Sequence, residues 1–100
     1  MVALSVTRSR VATVLAAAAD SFGTKRWHPL SNTIILAIDR AAGYTPGCSS
    51  IDAEDTSLAA WNALAVHLNN VRPEDWERAV GRTQDDVVDA LRGAAKAVTQ

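Results

Sequence analysis

The chain has 100 residues, which suits one compact domain and excludes a two-domain enzyme with a cleft between its halves. Nearly half of the residues are hydrophobic, but 19 of them are alanine, so we expect a thin, helical core. The net charge is −1, with five basic and two acidic residues in positions 1–40 and five basic and nine acidic in positions 41–100. This basic excess is too small to indicate a nucleic-acid-binding surface.

The expected location is the cytoplasm. A single cysteine, Cys48, excludes an internal disulfide and fits a reducing compartment. Arg8 and Arg10 precede an apolar stretch in the manner of a signal peptide, but Thr13 interrupts that stretch and its pattern continues to Phe22. No apolar run approaches the roughly 20 residues that a membrane span requires, so we expect no membrane association.

One stripe of apolar residues predicts the first helix, over about residues 6–22: Val11, Val14, Leu15, Ala18 and Phe22. Ser5 or Thr7 can cap its start, and Gly23 is expected to end it in the left-handed conformation. In the loop that follows, Trp27 is expected to fold back over the core.

The second helix is predicted from an N-cap at Ser31 to about Ala42, with Gly43 as its stop. Ile34, Ile35 and Ile38 would point inward, although three isoleucines so close together also suit a strand.

A long loop is expected over residues 43–55, with Pro46 and Gly47 in a turn. Such a loop is either a binding element or a mobile connector. The third helix is predicted to begin between Asp52 and Thr56 and to end near Val71. Its buried stripe is expected to be Leu58, Trp61, Ala65 and Leu68, flanked by Leu64 and Val71.

Two helices close the chain. Pro73 suits the first position of a short helix over residues 73–80, and Gly81 is expected to be left-handed after it. Thr83 and Asp86 form a capping box for the last helix. The buried face of that helix is predicted to be Val87, Val88, Leu91, Ala94, Ala95 and Val98.

These elements predict an all-α fold: a compact, single-domain bundle of four or five helices that covers residues 1–100. The last two helices also match a DNA-reading helix-turn-helix in spacing. The charges argue against that interpretation, because Asp85, Asp86 and Asp89 stand where phosphates and bases would be contacted.

No motif indicates an enzyme, a metal site or a cofactor. His28, His67 and Cys48 are isolated in the sequence, and the glycines do not form a phosphate-binding loop. Catalysis would become a candidate only if the long loop brought Cys48 beside His28 or His67. We therefore expect no catalytic residues, no metal and no cofactor.

The three tryptophans allow two interpretations. Trp61 and Trp76 are predicted to anchor the core, but an exposed tryptophan would indicate a protein interface. The candidate partner-binding residues are Trp27, Trp76, Arg78 and Arg82.

The C-terminal pattern resembles a small domain of uncharacterised function found in actinobacteria and their phages. The residues that carry the resemblance are Trp76, Gly81, Arg82, Thr83, Asp86, Val87, Leu91, Arg92, Ala94 and Ala95. The stretches VLAAAADSFG and AIDRAAG look like earlier helices of the same family, whereas Glu77 stands where relatives usually carry Asn. The resemblance implies an actinobacterial or phage origin and brings no known activity.

The function predicted from the sequence is a non-enzymatic protein-interaction module, encoded by a phage and binding a host protein. The alternative is a small DNA-associated regulator with a basic contact face made of Arg8, Arg10, Lys25, Arg26 and Arg40. Both a monomer and a homodimer remain open.

Overall fold

A computed structural model describes residues 7–45, 47 and 51–99. Within these residues the chain forms five helices and no strand: α1 (Arg8–Ser21), α2 (Ile34–Ala42), α3 (Ile51–His67), α4 (Pro73–Glu77) and α5 (Gln84–Val98). The Cα radius of gyration of 12.9 Å is that of one compact domain of this length. The predicted all-α bundle is confirmed.

The core lies where α1, α2, α3 and α5 meet, and α1 and α5 share the most extensive contact. Large side chains from all four helices fill it, together with Phe22, which follows α1; those with no exposed surface are Leu15, Ile34, Ile38, Leu64, Val87 and Leu91. Ala18, Ala60 and Ala94 are also fully buried, and their small side chains let the helices approach closely. The core is therefore helical and rich in alanine, as the composition predicts.

Several helix ends follow local chemistry. The hydroxyl of Thr7 accepts a hydrogen bond from the Arg10 amide at 3.1 Å and caps α1. Thr83 and Asp86 form both hydrogen bonds of the predicted capping box on α5. Gly43 and Gly81 are left-handed, with φ of 77° and 83°, as expected.

The boundaries of α1 and α2 differ from the prediction. The expectation that Gly23 ends α1 in the left-handed conformation is wrong, because Phe22 caps the helix and tight turns continue to Lys25. Thr33, not Ser31, is the N-cap of α2. The backbones of His28 and Asn32 exchange two hydrogen bonds of 3.1 Å and hold residues 28–32 in a closed turn, so the helix begins after it.

Helix α3 begins and ends earlier than predicted. It starts at Ile51 because the acidic residues lie within its first turn, where they stabilise the helix dipole. The loop expected over residues 43–55 is correspondingly shorter, and Pro46 and Cys48 lie outside the described residues. The helix ends at His67 because Asn69 and Asn70 adopt positive φ angles of 61° and 65°, which asparagine tolerates better than most residues.

The predicted stripe of α3 is only partly right: Leu64 is buried and Leu68 packs against the core, but Leu58 and Trp61 lie outside the core cluster. The buried residues are Ala53, Thr56, Ser57, Ala60 and Leu64, whereas Leu58 is 57% exposed. Small side chains occupy the inner face because α3 packs closely against α1, α2 and α5. The larger Leu58 and Trp61 lie on the outer face.

Helix α4 is shorter than residues 73–80, since it ends at Glu77 and Arg78 caps it. The Arg82 side chain folds back and its Nε donates to the Trp76 carbonyl oxygen at 2.9 Å, which closes the turn before α5. Among the described helices, none is long and apolar enough to cross a lipid bilayer.

Candidate functional site

A groove of about 360 Å³ lies between α2 and α3. It is lined by Ile35, Asp39, Tyr44, Glu54, Ser57, Leu58 and Trp61. Its surface is mostly apolar, it carries two carboxylates, and none of its described lining residues is basic. The volume is at the small end of the range for ligand sites and suits one or two inserted side chains.

The groove exists because α3 is apolar on two sides. Its inner face enters the core through Ala60 and Leu64. Its outer face carries Ile51, Leu58 and Trp61, which share one side of the helix by their spacing of three and seven residues. Ile51 is 76% exposed and Leu58 is 57% exposed. Among the residues that the structure describes, no element covers these outer apolar side chains, and exposed apolar surface of this kind is typical of an interaction site.

Asp39 supplies the polar centre of the groove. Its half-buried carboxylate accepts a hydrogen bond from the hydroxyl of Ser57, which is only 4% exposed. Across the part of the chain that the structure describes, the ion pairs involve neither Asp39 nor Glu54. The groove therefore presents negative charge beside aromatic and aliphatic surface.

A second depression, of about 260 Å³, shares Asp39 and Tyr44 with the first. Lys25, Leu36 and Arg40 are among its other lining residues. The Arg40 guanidinium is held on that side, because it donates to the Asn32 side chain and to the Leu36 carbonyl oxygen. The apolar and charged surface thus continues over the C-terminal half of α2.

The sequence-predicted partner residues lie elsewhere, around α4. Trp27 and Trp76 are partly buried against the core, which confirms the predicted lid and the predicted anchor. The guanidinium carbon of Arg82 lies 3.8 Å from the centroid of the Trp76 ring, a cation–π contact. Arg78 is exposed. Trp61, predicted to anchor the core, instead lines the groove and lies outside the core cluster.

Glu77 links these elements, although the sequence singles it out only as a departure from the family pattern. It is 2% exposed, and one carboxylate oxygen accepts hydrogen bonds from the Trp27 indole at 3.1 Å and the Ile34 amide at 3.0 Å. Burial raises the pKa of this carboxyl, and the two hydrogen bonds oppose that rise. Pro73 and Glu77 lie one turn apart on α4 and both are buried, but no sequence pattern indicates this for Glu77.

The five basic residues of the alternative DNA-binding face do not form one patch. Arg8 and Arg10 lie in the first turn of α1, whereas Lys25 and Arg26 follow its other end. The helix of 14 residues separates the two groups by roughly 20 Å. Arg10 donates from Nε to the Thr56 hydroxyl at 3.1 Å, and Arg40 binds Asn32, so two of the five are engaged within the domain.

The histidines take structural positions. Nδ1 of His28 accepts hydrogen bonds from the amides of Leu30 and Ser31, and the His67 ring lies over Gly93. Neither lines the groove. Over residues 7–45, 47 and 51–99, no group of three or more His, Cys, Asp or Glu side chains is placed to hold a metal ion. The possible pairing of Cys48 with a histidine lies outside the described residues.

Of the comparisons with known proteins, only the one with protein families finds a match. No curated protein and no solved structure matches it. Residues 6–97, more than nine-tenths of the chain, match a protein family described as "Family of unknown function (DUF6197)". The family is uncharacterised, as the resemblance implied, and the chain belongs to this family of unknown function.

Proposed function

We propose that this domain is a non-enzymatic protein-interaction module that binds its partner through the groove between α2 and α3. The observation that carries the proposal is the outer face of α3, where Leu58 and Ile51 are more than half exposed and Trp61 lines the groove. Contiguous exposed apolar surface in a small domain is typical of an interaction site. Tryptophan is the residue type most enriched among interface hot spots.

This groove is a better candidate than the surface around Trp76. The ring of Trp76 is covered by Arg82, and the Trp27 indole donates to buried Glu77. Both tryptophans therefore already have intramolecular partners that stabilise the fold. Trp61 has a different setting, since it faces the groove beside Ile35 and Tyr44.

The proposal extends to the source of the protein and to the kind of partner it binds. The proposal includes an actinobacterial or phage origin and a partner in the cytoplasm of the bacterial host. Its support is the C-terminal pattern around Trp76 and Gly81, together with eight arginines against two lysines. A DNA-associated function has weaker support, because Arg8 and Lys25 lie near opposite ends of α1.

The test is affinity capture from an actinobacterial lysate with four forms of the domain, at low and at moderate salt. Wild type is compared with Leu58→Ser, with Trp61→Ala, and with the control Val80→Ser. Val80 is a fully exposed apolar residue on the turn before α5, outside the groove lining. Circular dichroism verifies that each variant retains its helical content.

The expected result is one protein retained at moderate salt by wild type and by Val80→Ser, and lost with both groove variants. Equal retention of the protein by all four forms would show that the binding surface lies outside the groove. Nucleic acid retained only at low salt, with no dominant protein, would instead support the DNA-associated alternative.

A further inference from the structure

We infer that the groove recognises a segment of a partner protein that carries an arginine or lysine close to a bulky apolar side chain. This inference rests on the proposed function and specifies the chemistry of the partner. The groove combines two carboxylates with aromatic and aliphatic side chains, and this combination defines the occupant.

The negative charge of the groove favours a cationic group on the partner. Asp39 and Glu54 are its two ionisable carboxylates, and its described lining contains no basic residue. The described ion pairs elsewhere in the domain, Arg72 with Glu74 and Asp75 and Arg92 with Asp20, leave these two carboxylates without a basic side chain within 4 Å. Burying such a carboxylate under an uncharged partner would cost free energy, whereas a guanidinium or ammonium group would compensate its charge.

The aromatic walls favour the same occupant. Trp61 and Tyr44 line the groove together with the two carboxylates. Cations bind the faces of aromatic rings, with tryptophan the strongest, and arginine can stack on a ring while its fork donates to a carboxylate. Leu58 and Ile35 provide the aliphatic surface on which an adjacent apolar side chain packs.

Ser57 fixes the orientation of the central carboxylate. Its buried hydroxyl donates to one oxygen of Asp39, which leaves the other lone pairs of the carboxylate for an incoming donor. Such a preformed acceptor lowers the entropic cost of binding.

In the experiment, peptides that bind the immobilised wild-type domain are selected from a random library displayed on phage. Selected peptides are synthesised with a fluorophore, and their affinities are measured by anisotropy at moderate salt. Each peptide is paired with a version in which the basic residue is replaced by glutamine. The protein variants are Asp39→Asn, Glu54→Gln and Leu58→Ser, with Asp89→Asn and Val80→Ser as matched controls on exposed positions outside the groove.

The expected result is that enriched peptides share an arginine or lysine near a leucine, phenylalanine or tryptophan. Replacing the basic residue, or either groove carboxylate, should weaken binding about tenfold, the loss of one charge-assisted hydrogen bond. Asp39→Asn keeps an acceptor for the Ser57 hydroxyl, so a loss of affinity reports charge rather than altered packing. The two control variants should bind as wild type does.

The alternatives give distinct results. Peptides that require Leu58 but tolerate glutamine and Asp39→Asn would overturn the basic partner and leave the groove as an interaction site. An absence of enriched peptides, or binding unaffected by Leu58→Ser, would overturn both this inference and the proposed function. Concentration-dependent dimers in sedimentation, abolished by Leu58→Ser, would show that a second copy of the chain occupies the groove.

Discussion

Glu77 is a single residue on which three segments depend. Its carboxylate lies at the N-terminus of α2, where it accepts from the Ile34 amide, and it also holds the Trp27 indole against the core. It therefore satisfies one amide of the first turn of α2, which has no partner inside the helix. The cost is the burial of a carboxyl group, which raises its pKa.

The first prediction concerns pH. Because the pKa of Glu77 is raised in the folded state, the folded chain binds this proton more tightly than the unfolded chain. The contribution of Glu77 to stability is therefore largest below its ordinary pKa of 4.5 and is lost as the pH rises through the folded pKa. As the pH rises from below 4.5 through the folded pKa, the free energy of unfolding should therefore fall less in Glu77→Gln than in wild type. Urea unfolding at several pH values measures this difference.

Two comparisons interpret this experiment. Val80→Ser, at a fully exposed position on the turn before α5, should show the same pH dependence as wild type. Parallel curves for wild type and Glu77→Gln would show that the folded state does not raise the pKa of this carboxyl.

The second prediction concerns the hydrogen bonds of Glu77. Glu77→Ala leaves the Trp27 indole and the Ile34 amide without their acceptor, and it opens a cavity beside α4. We expect the free energy of unfolding to fall by about 1–3 kcal/mol, the cost of leaving a buried donor unsatisfied. Urea unfolding monitored by circular dichroism gives this value, and a change below about 0.5 kcal/mol, which is typical of surface substitutions, would contradict it.

The third prediction concerns Gly81, whose φ of 83° lies in the left-handed region. A Cβ there would meet no atom within 4 Å, so the penalty for Gly81→Val comes from the backbone alone. We expect a loss of about 1–2 kcal/mol in thermal or urea unfolding. Gly81→Asn should cost clearly less, because asparagine tolerates this conformation; equal losses would argue for a different cause.

At the scale of the elements, the side chain of His67, at the end of α3, packs against Gly93 of α5. The His67 ring lies directly over Gly93, and a Cβ at position 93 would approach its Nε2 to 2.6 Å. Gly93 lies in the interior of α5, where glycine is less favourable than alanine by about 1 kcal/mol. The absence of a side chain at position 93 leaves the space that the imidazole occupies.

The fourth prediction is a double-mutant cycle on this contact. Gly93→Ala should raise the free energy of unfolding by about 0.5–1 kcal/mol when made in a His67→Ala background, where the ring no longer obstructs the methyl group. In the wild-type background the gain should be smaller, because the imidazole must move. Urea unfolding of the four proteins measures the coupling, and equal gains in both backgrounds would show that His67 and Gly93 do not interact.

At the scale of the whole molecule, the first and last helices hold the fold together. Helix α5 contributes Val87, Leu91 and Ala94, none of which has exposed surface, and its most extensive contact is with α1. The Arg92 guanidinium also donates to Asp20 of α1 at 3.1 Å, although both side chains are exposed and the pair adds little stability. Apolar packing between the two ends of the chain therefore dominates.

The fifth prediction follows from the packing of α5 against α1. A chain that ends at Arg82, before α5, should lose cooperative thermal unfolding, because the buried faces of α1 and α3 would be exposed to water. A chain that ends at Val98 should unfold as the full chain does. Thermal unfolding of the full chain and of the two truncated chains is followed by circular dichroism. A cooperative transition in the chain that ends at Arg82 would show that α1–α4 fold independently.

Local chemistry made much of the fold predictable. The capping box of Thr83 and Asp86 and the stops at Gly43 and Gly81 involve residues within a few positions of one another. Their physics is contained in the sequence itself, as is the apolar stripe of α1. The N-cap of α2 is Thr33 rather than Ser31 because the pairing of His28 with Asn32 is a loop contact that no periodicity reveals.

The candidate site was not predictable in the same way. Helix α3 carries two stripes at helical spacing, one through Ala60 and Leu64 and one through Leu58 and Trp61. Periodicity alone favours the bulkier stripe as the buried one, and that prediction is wrong. The burial of Glu77 was equally hidden, because its two donors are 43 and 50 residues distant in the chain.

The sequence by itself thus determined the all-α class, the succession of five helices and those helix ends that local caps and stops fix, because these depend on interactions within one or two turns. Only the tertiary structure decided which face of α3 enters the core, since that choice depends on how closely α1, α2 and α5 pack against it. Close packing placed the alanines inside and left Leu58 and Trp61 beside Asp39. The groove results from the packing of the alanine-rich face of α3 into the core.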